Sequence, residues 1–383
     1  MIKIINLYRK NHFNKFKIIS LMLCSTLLFS GCYNSEPIEK IAVIVGIVFQ
    51  KDKKDNRKNH IYSEILSFDQ GSNSIKGEYV EGSSFSLYEA FNLSNSKISK
   101  TRVLGDELLY LINEGKAKDG IDDILDTFLR NDDRNENAFV AVTTKDVKEL
   151  STSQPRTATL SEDLYNLLYF ANKANFYAKD YSIAEILKMH HQKGREIILP
   201  VIDVQDGKQA LSGLAIFKNT KLVSITDLKE ARLINMIRNS GVSGYLNLLD
   251  DECKEFADFS SKNKVKVNVS KENETLVYNI SVGLECMIAV NTLGDKDNKK
   301  TYKSRKNIEE KLNSLVEKDL NNMIKKSIEE YETDIFDLGK YALAKFGKNS
   351  GYDDFKYIKN AKINVKVNSK IISPGRNTDM NND

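Results

Sequence analysis

The sequence predicts an α+β (mixed α/β) protein, an extracytoplasmic body of three domains with mixed sheets. Residues 1–31 have the pattern of an export signal. Strand-type apolar runs then alternate with helical patterns up to about residue 240, which indicates a mixed sheet covered by helices. After residue 263, two alternating strands precede one long amphipathic helix. The last domain is therefore predicted to be an antiparallel sheet packed by that helix.

The amino-terminal segment predicts lipid anchoring. Five Lys or Arg residues and no acidic residue lie in residues 1–31, and an apolar run extends from Ile18 to Ser30. That run is shorter than the roughly 20 apolar residues of a spanning helix. Leu28-Phe29-Ser30-Gly31-Cys32 resembles a bacterial lipobox, which would make Cys32 the first residue of the mature chain and its lipid attachment site. An uncleaved anchor helix with an incidental cysteine is the alternative.

Charge and cysteine content exclude several classes of protein. The chain has 57 basic and 53 acidic residues, and removal of the five basic residues in the signal leaves 52 against 53, a net charge near −1. This balance predicts no nucleic-acid partner. Apart from Cys24 in the signal and Cys32, the chain has only Cys253 and Cys286. They could form a disulfide in an oxidising compartment or remain two buried thiols.

The first predicted domain is an α/β unit over residues 32–149, completed by residues 197–240. The apolar run Ile41–Phe49 and a second strand from Ile61 indicate an antiparallel hairpin. The basic loop between them is either a solvated turn or a contact with anionic headgroups. Helical spacing over 84–96 and 120–129 and the buried strand Ala138–Thr143 continue the alternation.

Residues 150–196 predict a small helical middle domain. Their apolar residues have helical spacing, and aromatic side chains are dense. The aromatic cluster is either the core of this domain or the lining of a ligand pocket or partner groove. Its members are Tyr165, Tyr169, Phe170, Phe176, Tyr177 and Tyr181.

The third predicted domain covers residues 241–374, before a disordered tail at 375–383. Glycines at 241 and 244 indicate a linker, and alternation over 264–284 indicates a long hairpin. An amphipathic helix is predicted over 304–330, and Asp334 is predicted to cap a short helix at 335–339 with Asp337 at its third position. Alternation at Ile363, Val365 and Val367 predicts the closing strand.

No catalytic set is visible in the sequence. The mature chain has only three histidines, and the neighbours His190 and His191 point about 100° apart on a helix, so they cannot share a metal there. No Cys/His zinc pattern, nucleophile elbow or phosphate-binding loop occurs. We therefore predict a binding protein rather than an enzyme, with no catalytic residue, no metal ligand and no cofactor, and with Cys32 as the one site residue.

Several segments resemble the Ger(x)C lipoproteins of spore germination, the C subunits of nutrient germinant receptors. The GLAIFK and KLV strings and the DIFDLG block are similar to that family's "GlAvFk..kLvG" and "DiFgfG" motifs. Tyr33 and Asn34 stand where the family has Trp and Asp, and Ser224 stands where Gly is common. The segments are Cys32-Tyr33-Asn34 with Ile41–Ile47, Glu81-Gly82 before Leu87–Leu93, Leu125–Arg134, Gly213–Lys218 with Lys221–Val223, and Asp334–Gly339.

The resemblance implies a non-enzymatic subunit of three mixed α and β domains on the outer face of the spore inner membrane. It implies integral membrane A- and B-type receptor subunits as partners and membrane lipid attached through Cys32. Whether this subunit binds the small-molecule nutrient is left open. The competing interpretation is a solute-binding lipoprotein of a transporter, which requires two doubly wound lobes around a cleft. A cell-wall enzyme is a third interpretation.

Overall fold

The computed structural model describes residue 22 and residues 36–69, 74–131, 133–152, 157–249, 255–291, 293 and 301–373. The predicted signal segment (residue 22 apart), the lipid site Cys32 and the tail 375–383 lie outside the described residues. The contacts divide the chain at Ile41, and Ala42–Asp383 forms one compact unit. Among the described helices, none combines the length and the apolar character needed to cross a membrane.

Sheet A is built from the first nine strands, in the order β3-β2-β1-β5-β6-β7-β8-β9, with β4 paired to β1. Strands β1, β5, β6 and β7 are parallel, and antiparallel strands extend the sheet on both sides. The continuous apolar run of β1 is buried on both faces, as is typical of a central parallel strand. The strands are β1 (Ile41–Lys51), β2 (Asn59–Asp69), β3 (Ser74–Ser84), β4 (Thr101–Val103), β5 (Leu109–Asn113), β6 (Phe139–Thr143), β7 (Ile198–Gln205), β8 (Lys208–Lys218) and β9 (Lys221–Ile225).

Within the described ranges, seven α-helices accompany sheet A: α1 (Leu87–Asn95), α2 (Glu114–Asp119), α3 (Asp122–Arg130), α4 (Val147–Thr152), α5 (Leu160–Ala171), α6 (Ile183–His191) and α7 (Leu228–Arg238). Four of them begin at a Ser, Thr or Asp whose side chain accepts a backbone N–H of the first turn. Helices α1, α3 and α6 pack into one core of the sheet, and α5 and α7 pack into the other. The helices of the predicted middle domain thus share cores with sheet A, and the division into domains stays a prediction.

Sheet B has the strand order β10-β11-β12-β13. Its elements are β10 (Ser243–Leu249), β11 (Phe256–Glu272), β12 (Thr275–Asn291), α8 (Thr301–Lys326), a π-helical turn (Ser327–Tyr331), α9 (Leu338–Phe346), α10 (Phe355–Lys359) and β13 (Lys362–Ser373). The α+β class and the long hairpin are confirmed, but the predicted linker is strand β10. The closing strand runs parallel to β12 rather than antiparallel, because three helices return the chain to the end where β12 began.

Side chains of α8 protect the outer edge of β13. The backbone N–H groups of Val367, Ser369 and Ile371 donate to Glu317, Asn313 and Glu309 at 2.8, 2.7 and 2.7 Å. Acceptors spaced four residues apart lie on one face of a helix, and alternate residues of a strand point their N–H groups to one side. The two rows can therefore face each other. The helix therefore satisfies donors that an edge strand would otherwise expose for pairing with another chain.

The structure distinguishes between some of the alternatives that the sequence left open for the cysteines and the aromatic cluster. Cys286 is a buried free thiol that accepts a hydrogen bond from the Ser261 hydroxyl at 3.3 Å, and Cys253 lies outside the described residues. Phe176 and Tyr177 are fully buried in the core, whereas Phe170 is 50% exposed. The dense aromatic stretch is therefore mainly core, with an exposed rim.

Candidate functional site

The residues that the sequence singled out do not form a reactive centre in the described part of the chain. His190 and His191 are exposed at the end of α6, where the His191 Nδ1 lies 2.9 Å from the Leu187 carbonyl oxygen. Within the described residues, no group of three or more His, Cys, Asp or Glu side chains could hold a metal ion. Cys32 lies outside them, so its lipidation stays a prediction.

The main polar site is a buried cluster that we call the Asp337 joint: Arg195, Glu196, Arg238, Asp334 and Asp337. Asp337 is fully buried at the start of α9. Its Oδ1 lies 2.7 Å from the Arg238 guanidinium, and its Oδ2 lies 3.2 Å from Arg195 Nε. One buried carboxylate thus pairs with two arginines, an arrangement that offsets the desolvation of the charges.

The backbone at Asp337 adopts the left-handed conformation, with φ of 53°. The Glu196 N–H donates to Asp337 Oδ1 at 3.2 Å and helps to hold the carboxylate in place. Asp334 does not cap a helix at 335–339 as predicted, because α9 begins only at Leu338. Instead, its Oδ2 accepts the Gly339 N–H at 2.7 Å. This hydrogen bond spans the turn that precedes the helix.

Arg238 connects three segments. Its guanidinium, at the end of α7, also donates to the Ile335 carbonyl at 3.0 Å and the Glu196 carbonyl at 2.7 Å. Backbone contacts reinforce the joint: Lys340 N donates to the Gly194 carbonyl at 3.1 Å, and a Cβ on Gly194 would lie 2.5 Å from Gly339. The joint therefore attaches the segment before β7 to the start of α9.

Two acidic groups of the joint titrate abnormally. Burial raises the pKa of Asp334 to about 6, with a smaller increase from the charge of Asp337. Burial also raises the pKa of Glu196 to about 7, and the Asp334 charge adds to the increase. Both carboxyls hold protons more tightly in the folded chain than in the unfolded chain. The free energy of unfolding should therefore fall as the pH rises from about 4 to about 7.

Replacing Glu196 with Gln should flatten this pH dependence. Gln keeps the size of the side chain but has no proton to lose, so the variant should have a higher melting temperature than the parent chain above pH 7 and a similar one near pH 4. Circular dichroism melts from pH 4 to 8 measure this. Glu274→Gln is the matched control, because the Glu274 side chain is 88% exposed. A Glu196→Gln profile that parallels the parent at every pH would contradict the assignment.

A second buried ion pair lies beneath α1. The Arg134 guanidinium lies 3.7 Å from the fully buried Glu107 carboxylate and stacks over the Phe91 ring at 4.5 Å. Glu107 Oε2 also accepts the backbone N–H groups of Gly105 and Asn135. The pair thus fixes the loops that lead into β5 and β6. Like the Asp337 joint, it is an ionic brace that holds loops in place.

Two family models match nearly the whole folded chain. Residues 34–204 match "Spore germination protein N-terminal domain", and residues 212–375 match "Spore germination B3/ GerAC like, C-terminal". The chain belongs to the Ger(x)C family of spore germination proteins. The boundary between the two matches falls at the β7–β8 turn. The Asp337 joint of this Ger(x)C protein contains residues from both matched regions.

Three known proteins are similar to this chain over 66% or more of its length. Spore germination protein A3 of Bacillus subtilis (strain 168) is 23% identical over 257 residues, 66% of this chain and 68% of that protein. YfkR of the same strain is 21% identical over 328 residues, 81% of either chain. The crystal structure of the GerBC protein has a TM-score of 0.55 at 15% identity, and it covers 85% of this chain and 97% of that one. The fold is therefore that of GerBC.

The Ger(x)C-like segments lie at close contacts rather than at a reactive centre. A Cβ on Gly82 would lie 2.0 Å from the Ala90 carbonyl of α1, and one on Gly213 would lie 1.8 Å from the Thr226 carbonyl. Asp337 lies in its joint, and Arg134 lies in the second ion pair. The sequence patterns did not predict the roles of Arg195, Glu107 and Arg238, because their partners are distant in sequence or outside any local pattern.

Proposed function

We propose that this protein is the lipid-anchored C subunit of a nutrient germinant receptor and that it is needed for nutrient-triggered spore germination. The observation that carries the proposal is the pair of family matches, which together extend from residue 34 to residue 375. The subunit assembles with integral membrane A- and B-type subunits on the outer face of the spore inner membrane.

Cys32 carries the anchor in this proposal. The first family match begins at residue 34, so only Tyr33 lies between Cys32 and the matched body. A diacylglyceryl group on Cys32 supplies more than one acyl chain, which gives firm anchoring where a single chain binds only marginally. The lipid concentrates the body at the membrane, and the body binds its partners through its own surface.

The proposed role is assembly rather than catalysis. The buried charged groups described above are engaged with one another, and each cluster fixes a loop or a helix start. Such braces favour a rigid body that presents a constant surface to other subunits. The family membership supports the same role, because both matches name spore germination and neither names a reaction.

Deletion of the gene tests the proposal. Spores that lack it should lose their response to one class of nutrient, should germinate normally with non-nutrient triggers, and should recover when the gene is restored. The solute-binding alternative predicts normal germination together with reduced uptake of one solute. A mutant lacking all other receptors of this type removes redundancy, so an unchanged nutrient response in that background would refute the receptor role.

Replacing Cys32 with Ala should release the protein from the membrane fraction and reduce germination, while the body stays folded. The reason is that the lipid has no other attachment residue in this proposal. Immunoblots of membrane and soluble fractions measure the release, and circular dichroism of the purified variant measures folding. Cys24→Ala is the matched control, since Cys24 lies within the signal and should have no effect. Retention of the Cys32 variant in washed membranes would contradict lipid attachment there.

A further inference from the structure

Sheet B has one buried face and one open face. Phe259 of β11, Tyr278 of β12 and Val367 of β13 point into the core and are fully buried. The alternate residues of the same strands point the opposite way, and most of them are exposed. We call this second surface the open face of sheet B. It is broad, because β11, β12 and β13 pair along most of their length.

The open face carries mostly positive charge. In its five rows of paired residues from Lys262 to Ser270, all of them within the described ranges, Glu285 is the only acidic residue that points outward. Asp258 and Glu272 lie beyond these rows, one at each end. The chain without its signal is nearly neutral, so this face concentrates positive charge. Six lysines of β11 and β13 point outward in these rows: Lys262, Lys264, Lys266, Lys362, Lys366 and Lys370.

Five of these six lysines have no acidic partner among the described residues. Lys366 is the exception, because its ammonium lies 3.4 Å from the Glu317 carboxylate of α8. Like charges held on one surface repel one another in the free protein. A solvated surface usually mixes both signs of charge, so this face is suited to negative charge that lies outside the chain.

The shape of the open face differs from that of a binding pocket. The outward residues of β12 between the two lysine-bearing strands include the short side chains of Asn279 and Ser281 and also Gly283. Lysines on alternate residues of a strand stand about 7 Å apart, and β11 and β13 lie about 10 Å apart with β12 between them. The ammonium groups are therefore spread over the sheet. This spacing suits a continuous layer of negative charge better than one small anion.

Apolar side chains continue the open face beyond the lysines. Tyr245 of β10 lies opposite Ser260, which lies opposite Met287, in the next outward-facing row after Lys262. Val290 lies farther along the same strand as Met287. Tyr245, Met287 and Val290 are 52%, 47% and 45% exposed. Aromatic and apolar side chains beside lysines are typical of protein surfaces at the headgroup level of a membrane.

We propose that the open face of sheet B lies against an anionic lipid surface. Its six lysines contact lipid phosphate groups, and its apolar end reaches the boundary between headgroups and acyl chains. The inference rests on the proposed function, because the lipid on Cys32 keeps the face within reach of the membrane. A lipid anchor alone leaves the body free to rotate, whereas this contact orients it and leaves its other surfaces available to receptor subunits.

The test uses the full lipidated chain bound to the outside of preformed vesicles. A membrane-impermeant acylating reagent labels exposed lysines, and mass spectrometry measures the rate at each lysine. Lys264 and Lys370 should react about tenfold more slowly on vesicles that contain phosphatidylglycerol than on vesicles of phosphatidylcholine alone. The difference should disappear in 1 M KCl, where the screening length is about 3 Å. Lys306 and Lys325 of α8 are internal controls with side chains 78% and 71% exposed, and they should react equally on both.

A triple variant locates the contact. Lys262→Gln with Lys264→Gln and Lys266→Gln should restore rapid labelling of Lys370 on the anionic vesicles. Each lysine near an anionic membrane increases the affinity roughly fivefold, so the loss of three weakens the contact about a hundredfold. The replaced side chains are exposed, so the circular dichroism spectrum should stay unchanged.

Lys306→Gln with Lys318→Gln and Lys325→Gln is the matched control. It removes the same charge from exposed positions of α8 and should leave Lys370 protected. Equal labelling of Lys370 on both kinds of vesicle would overturn the proposal. Protection that requires A- and B-type subunits in the vesicles would also overturn it, because the face would then bind protein.

Flotation with vesicles of phosphatidylcholine alone tests the anchor separately, since a surface without net charge does not attract the lysines. If that flotation fails, the labelling on anionic vesicles still measures the contact of the open face. The anchor and the lipid contact of sheet B can therefore fail independently.

Discussion

The Asp337→Asn variant should lose about 3–5 kcal/mol of unfolding free energy, the cost of breaking a buried ion pair from one side. Asn has almost the same size as Asp, so the change removes charge without opening a cavity. It leaves Arg195 and Arg238 without their shared carboxylate, and only 6% of the Arg238 side chain is exposed to water. Lys340, 3.5 Å from the same carboxylate, adds a third positive charge.

Urea unfolding followed by circular dichroism measures this loss as a lower midpoint. Asp126→Asn is the matched control, because it breaks an exposed pair with Arg130, and it should leave the urea midpoint close to that of the parent chain. In the double variant that adds Arg238→Met, the loss should be smaller than the sum of the single losses, because one stranded charge is removed. Equal losses in Asp337→Asn and Asp126→Asn would show that the joint contributes little to stability.

Replacing Gly213 with Ala should also destabilise the fold, by about 1–3 kcal/mol or more. A Cβ at this position would lie 1.8 Å from the Thr226 carbonyl oxygen, so the backbone of one segment must move. The local contacts resist that shift: the Tyr177 hydroxyl donates to the Gly213 carbonyl at 2.7 Å, and Leu214 N donates to Thr226 Oγ1 at 3.0 Å. Because α7 begins at Leu228, two residues after Thr226, the shift would reach the helix that carries Arg238.

Thermal melts compare this variant with Gly283→Ala in β12. There a Cβ would meet its nearest neighbour at 3.7 Å, an ordinary contact, so the melting temperature should stay close to that of the parent chain. Both glycines lie within strands, so the effect of strand propensity is the same in each. The two variants therefore differ mainly in the clash, and similar melting temperatures for both would argue against a close contact at Gly213.

Local patterns predicted the elements because the physics behind them is local. Alternation of apolar residues located the β11–β12 hairpin. The same reasoning was wrong about Asp334 and Asp337. A capping pattern assumes that the carboxylates serve the nearest backbone, whereas Asp337 is occupied by arginines that lie 142 and 99 residues earlier in the chain.

The closing strand marks a similar limit. Its residues alternate as expected for either orientation, and only the path through α8, α9 and α10 brings it beside β12 in parallel. The second ion pair was equally absent from the sequence analysis, because Glu107 and Arg134 come from loops that only the parallel pairing of β5 and β6 brings together.

Sequence was thus sufficient for the α+β class, the principal helices and strands, the lipobox-like cysteine and the resemblance to a family, since each depends on residues close together in the chain. The tertiary structure was needed for the strand orders and for the ion pairs of the Asp337 joint. Those features depend on burial and on contacts between distant residues. The partner of a buried charged side chain is selected by the packing around it, which removes water and brings a counter-charge close.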